Sequence, residues 1–109
     1  GKKLVVLTIP GCPYCFQALG KMKKLKSRNE KIEIEYIVCH TDPETTKGYS
    51  NEGGKAVNVR LAIDVQSMAT LAKGSFPTFA LVSNDSTLKV WSNDNFGVLA
   101  IDEVEELLK

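Results

Sequence analysis

Leu4-Val5-Val6-Leu7-Thr8-Ile9-Pro10-Gly11-Cys12-Pro13-Tyr14-Cys15-Phe16 is the stretch on which the fold turns. Its first six residues are apolar or β-branched without interruption, as in a strand buried on both faces at the centre of a sheet. From Cys15 onward, Phe16, Leu19, Met22 and Leu25 or Lys26 recur at spacings of three and four, with Lys21, Lys23, Lys24 and Arg28 between them. That spacing predicts an amphipathic helix of about four turns, ending in the Ser27-Arg28-Asn29 region. The two thiols thus fall at a strand-to-helix junction. If the helix begins near Cys12, its sulfur lies among the unpaired N–H groups and positive dipole end of the first turn, where a thiolate is favoured over a thiol. Cys15 lies one turn deeper on the same face, so one sulfur can attack a disulfide while the other stays within reach to resolve the product.

Working outward, Ile32, Ile34, Tyr36 and Val38 alternate with Glu33 and Glu35, a period-two strand with one face buried and the other partly wet. It runs parallel to the first strand if the intervening helix makes a right-handed crossover. Residues 40–54 are polar, open on the helix-start signal Asp42-Pro43-Glu44 and close on Gly53-Gly54; they read as a long loop with one helical turn, suited to carrying partner specificity beside a thiol site. From about Val57 to Lys73, the spacing of Leu61, Val65, Met68, Leu71 and Ala72 predicts a helix capped by Gly74. Residues 78–82 and 87–91 flank Ser83-Asn84-Asp85-Ser86 and read as an antiparallel hairpin with a four-residue turn. Asp102 with Glu105 reads as a capping box for a closing helix that buries Val104, Leu107 and Leu108.

The chain has 109 residues, 43% hydrophobic and 25% charged, with a net charge of +1, which is ordinary composition for one globular domain spanning residues 1–109. Nothing in it points to disorder or to a nucleic-acid partner. The longest apolar runs fall far short of a membrane span, so membrane insertion of this domain is not expected, and no signal-peptide pattern opens the chain. Gly1, followed at once by a strand, reads as a trimmed boundary that leaves room for either a targeting segment or a larger parent protein. Three cysteines are too few for a disulfide scaffold and leave Cys39 over. A leftover thiol leans toward a reducing compartment such as the cytoplasm, with the periplasm or another extracytoplasmic site as the alternative.

In order and placement these elements resemble the minimal thioredoxin fold, and the Cys12-Pro13-Tyr14-Cys15 tetrad is identical to that of dithiol glutaredoxins and of some bacterial periplasmic disulfide isomerases. Phe76-Pro77-Thr78, at the start of the third predicted strand, resembles the cis-proline turn that faces the thiols in that superfamily. The resemblance implies an α/β fold of order β-α-β-α-β-β-α, a central mixed sheet with helices on both faces. It implies a thiol-disulfide oxidoreductase in which Cys12 is the nucleophile and Cys15 the resolving thiol, Pro13 pre-forms the first helical turn and Tyr14 shapes the rim. A cis Pro77 would turn the Phe76 backbone outward to pair with an extended substrate segment. No cofactor is implied; the partners are disulfide-bearing proteins or glutathione as a co-substrate, and a monomer is expected. Two departures are plain: Ile9 stands near where typical glutaredoxins carry a lysine, and residues 95–102 lack their Gly-Gly-Asp-like turn. Against thioredoxins in the narrow sense, Gly11 and Val6 replace a tryptophan and a buried aspartate.

Other readings of the same residues stand beside this one. Cys12, Cys15, Cys39 and His40 supply the ligand types of a zinc site, although neighbours on a strand end point to opposite faces and converge poorly on one metal. A cluster shared between two subunits is known among glutaredoxins, and Pro13 stiffens the loop that would open around it. The alternatives to a free-standing oxidoreductase are a relay or docking module of a larger protein, with or without a membrane anchor, and a domain like the periplasmic disulfide isomerases. The lysine run on the first helix reads as a solvated face, and Trp91 and Phe96 as packing.

Overall fold

A computed structural model describes residues 2–9, 11–38, 43–61, 66, 70, 76–84 and 86–108. Strand β1 (Lys2–Thr8) is followed by helix α1 (Pro13–Arg28), strand β2 (Glu33–Val38), helix α2 (Pro43–Gly53), strand β3 (Asn58–Leu61), the hairpin β4 (Thr78–Ser83) and β5 (Ser86–Ser92), and helix α3 (Val98–Leu108). The sheet order is β3-β2-β1-β4-β5. β1 is central, as its apolar run predicts, parallel to β2 and antiparallel to β4. Among the described residues no helix is long and apolar enough to cross a membrane.

One face of the sheet carries Leu4, Val6, Ile34, Tyr36, Val38, Phe79 and Leu81, all buried. Against it pack Cys15, Ala18, Leu19, Met22 and Leu25 of α1, Tyr49 of α2, and Ala100 and Val104 of α3. The other face carries Leu7 and Ile37, joined by Val5, Ile9 and Phe76. The helix expected from about Val57 to Lys73, and its Gly74 cap, fall mostly outside the described residues; of the described residues in that span, Gln66 and Thr70 are α-helical.

Four expectations are corrected. The segment 40–54 is a three-turn helix over Pro43–Gly53. Its threonines and glycines are poor helix formers, and tertiary packing overrides them: Tyr49 is buried against Tyr36, ring centroids 5.7 Å apart. The helix predicted from Val57 instead opens with a strand, because Val57 and Val59 point inward while Asn58 and Arg60 point out, a period-two pattern that completes the β2 edge. Arg60 and Lys3 both pair with Glu35, at 2.7 and 3.1 Å, and so tie β3, β2 and β1 together on the wetter face. The hairpin closes more tightly than four residues, since Ser83 pairs with Ser86 and Asn84 takes φ +54, a left-handed conformation that asparagine tolerates. Finally α3 begins at Val98, so Asp102 and Glu105 lie inside it and do not form its capping box; the N–H of Ile101 already donates to the Gly97 carbonyl at 3.1 Å. Val104 is buried as expected, and Leu107 and Leu108 are half-buried.

The cations of α1 are largely engaged within the molecule. Lys21 and Lys26 donate to the carbonyls of Phe96 and Ile32, while Lys23 and Arg28 pair with Glu52 and Glu105. Trp91 and Phe96 are packing residues: Phe96 stacks on Phe79 at 3.9 Å and meets Trp91 edge-on at 5.5 Å.

Candidate active site

β1 ends at Thr8, and the chain reverses into α1 through Gly11, whose φ of +69 is open to glycine at no steric cost. That turn sets Cys12 in the N-cap position of α1 with extended dihedrals, φ −107 and ψ 102. Its Sγ accepts the N–H of Cys15 at 3.1 Å, satisfying one of the orphan donors of the first turn. Pro13 occupies the next position, where a missing N–H costs nothing. Cys12 and Cys15 are joined as a disulfide, their Cα atoms 5.2 Å apart.

The two sulfurs are unequal. Cys12 is half-buried and faces out at the end of the sheet, whereas Cys15 is 0% exposed among the core residues of α1. An incoming disulfide meets Cys12 first.

Antiparallel pairing of Leu7 with Thr78 brings the residues just before β4 beside the head of α1. The Phe76-Pro77 peptide is cis, as the turn motif implies, and the Phe76 carbonyl oxygen lies 3.8 Å from Cys12 Sγ although the two residues are 64 positions apart. Phe76 is half-buried and Pro77 buried. Tyr14 stands 59% exposed on the rim. All six residues singled out in the sequence are therefore at one end of the sheet, Cys12, Cys15, Pro13 and Tyr14 from α1 and its cap, Phe76 and Pro77 from the turn before β4. Cys39 and His40, the remaining half of the alternative metal site, lie outside the described residues.

Periodicity placed Phe16 in the core; the structure leaves it 45% exposed and buries Ala18 in its stead. Its ring meets Tyr49 of α2 at 6.2 Å. Gly11, Cys12, Pro13, Phe16, Gly48 and Tyr49 together line an open groove of about 410 Å³. Two tyrosines brace this corner: Tyr49 donates its hydroxyl to the Ile9 carbonyl at 3.0 Å, and Tyr36 donates to the Cys15 carbonyl at 3.3 Å. Burial pushes the hydroxyl pKa of both upward, for Tyr36 with a further contribution from the neighbouring Tyr49, which keeps them neutral donors. Sequence reasoning missed Gly48 and Tyr49. The one available signal was a lone aromatic in an otherwise polar stretch.

Superposition on solved structures establishes the class: this chain has the thioredoxin-like fold. It aligns over 99% of its length with 79% of the thioredoxin domain of a thiol-disulfide oxidoreductase from Bacteroides vulgatus, with TM-score 0.78 and 19% identity. A thiol-disulfide oxidoreductase from Bacteroides fragilis aligns with 97% of this chain and 80% of its own, TM-score 0.76 and 18% identity. A secreted Mycobacterium tuberculosis disulfide oxidoreductase homologous to Escherichia coli DsbE aligns with 96% and 78%, TM-score 0.68 and 13% identity. In sequence the chain is similar to a glutaredoxin of Haemophilus influenzae, 33% identical over 54 residues, which is 50% of this chain and 62% of that protein. No protein-family model matches the chain.

Proposed function

We propose that this protein is a thiol-disulfide oxidoreductase whose redox couple is Cys12 and Cys15, acting as a monomer on disulfides of proteins or of glutathione. The observation that carries the reading is the inequality of the pair: a half-buried sulfur at a helix N-cap, disulfide-bonded to a fully buried one three residues on. In the reductive direction the Cys12 thiolate attacks one sulfur of the substrate disulfide, forms a mixed disulfide and expels the first substrate thiolate. The Cys15 thiol gives up its proton and attacks Cys12 Sγ, which restores the Cys12–Cys15 disulfide and releases the second substrate thiol. Two electrons pass to the substrate; one of the protons on its thiols comes from Cys15, and the other is taken from water, which received it when Cys12 ionised. A thiol donor resets the couple by the same steps in reverse, and no cofactor enters.

Each remaining site residue has a place in this scheme. Pro13 pre-forms the turn that presents Cys12, Tyr14 borders the approach, and the Phe76 backbone beside Pro77 pairs with an extended substrate segment. Support for the last role is the 3.8 Å approach of the Phe76 carbonyl to Cys12 Sγ. Comparison of Cys12→Ser with Cys15→Ser on a mixed-disulfide substrate tests the mechanism. The first variant should lose all turnover; the second should accumulate a covalent Cys12–substrate adduct visible by mass spectrometry. Full turnover by both variants would refute it.

A further inference from the structure

The groove between the head of α1 and α2 has a chemical character the redox couple does not account for. Among the described residues six line it, none of them charged, and Cys12, which carries the reacting sulfur, is one of the six. Phe16 and Tyr49 form a continuous aromatic wall, and Phe16 remains 45% exposed. Gly48 lies inside α2, and a Cβ built on it would meet nothing within 4 Å, so this side of the groove has room for an added side chain. A substrate side chain seated in the groove during sulfur exchange lies beside Cys12 and the disulfide under attack.

Resting on the oxidoreductase reading above, we propose that this groove is a specificity subsite for an apolar or aromatic side chain flanking the disulfide-bonded cysteine of a polypeptide substrate. Covering the exposed Phe16 ring with such a side chain removes apolar surface from water on both partners. Glutathione, whose carboxylates and ammonium group find no countercharge among the described lining residues, gains little from the groove. α2 thereby supplies specificity beside the thiols, from a helix.

The experiment compares reduced parent protein with Gly48→Leu and Gly20→Leu. Gly20 is the control: it lies inside α1, its added side chain also meets open space, and it does not line the groove. The substrates are two peptides, each a mixed disulfide with 2-mercaptoethanol, alike except for phenylalanine or aspartate beside the cysteine. The readout is the rate of peptide thiol release. The parent should prefer the phenylalanine peptide by about tenfold, the scale expected for burying much of one aromatic side chain. Gly48→Leu should lose that preference by slowing the phenylalanine peptide selectively, and Gly20→Leu should keep it. Equal rates on both peptides by the parent, or a preference that survives in Gly48→Leu, overturn the subsite. Equal slowing of both peptides by Gly48→Leu also overturns it, because the damage would then be to Cys12. Release of neither peptide by the parent overturns the oxidoreductase reading itself.

Discussion

In the reduced protein, Cys12 should outpace both Cys15 and an unstructured cysteine in alkylation at pH 6, and the size of the advantage follows from the N-cap geometry. The Cys15 N–H points at Cys12 Sγ from 3.1 Å, and a hydrogen bond to a charged acceptor is worth about 1.5 to 3 kcal/mol. Acting on the thiolate alone, that enriches its population by roughly ten- to a hundredfold or slightly more. A thiolate stabilised in this way is also a weaker nucleophile, its intrinsic reactivity falling with a Brønsted slope of about 0.4 to 0.5, so roughly half the logarithmic gain survives. The net expectation is a rate about four- to fifteen-fold above that of a cysteine in a short peptide of the same local sequence. Cys15, fully buried, should react far more slowly than either. Iodoacetamide labelling of the reduced protein, quenched over time and read by peptide mass mapping, gives both rates in one experiment. A Cys12 rate no greater than the peptide's, or a Cys15 rate equal to that of Cys12, would show that the cap does not favour the thiolate.

Two further outcomes concern the scaffold. Phe96→Ala removes a ring stacked between Phe79 and Trp91 and should cost about 3 to 5 kcal/mol, a large part of the 5 to 15 kcal/mol typical of a domain; Tm should fall by about 12 to 20 °C, and a loss under about 3 °C by calorimetry would contradict the packing described. Alkaline stability should reflect Tyr36 and Tyr49: burial raises their pKa values in the folded state, so their contribution is fully present below the ordinary tyrosine value near pH 10 and is lost as pH rises through the raised values. Tyrosinate absorbance followed alongside far-ultraviolet circular dichroism should then show two of the three tyrosines ionising only as the protein unfolds, and complete ionisation near pH 10 with native dichroism would contradict this.

Much of this molecule was legible because its signals are local. An unbroken apolar run, a 3.6-residue stripe and a Cys-Pro-Tyr-Cys tetrad each depend on residues a turn or less apart, and β1, α1 and the redox pair emerged from them. Where packing competes with propensity the pattern misled. The sequence Pro43–Gly53 lacks an apolar stripe, and only the burial of Tyr49 against Tyr36 makes it a helix. Val57 and Leu61 fit a helical spacing, while Val57, Val59 and Leu61 also fit a strand, and the free edge of β2 decided between them. Phe16 sits at a core spacing, yet the smaller Ala18 takes the buried place while the ring turns to the groove.

By itself the sequence determined where the cysteine pair sits, because the N-cap environment of Cys12 and the placement of Pro13 are set within one helical turn of the chain. Tertiary structure alone decided what stands around them. The Phe76 carbonyl reaches Cys12 across 64 residues through the pairing of β4 with β1, and Gly48 and Tyr49 reach it through the packing of α2 on α1. Such contacts depend on strand register and on competition for buried volume, which are properties of the whole core; a short stretch such as Phe76-Pro77-Thr78 marks a turn by resemblance but does not set what that turn touches.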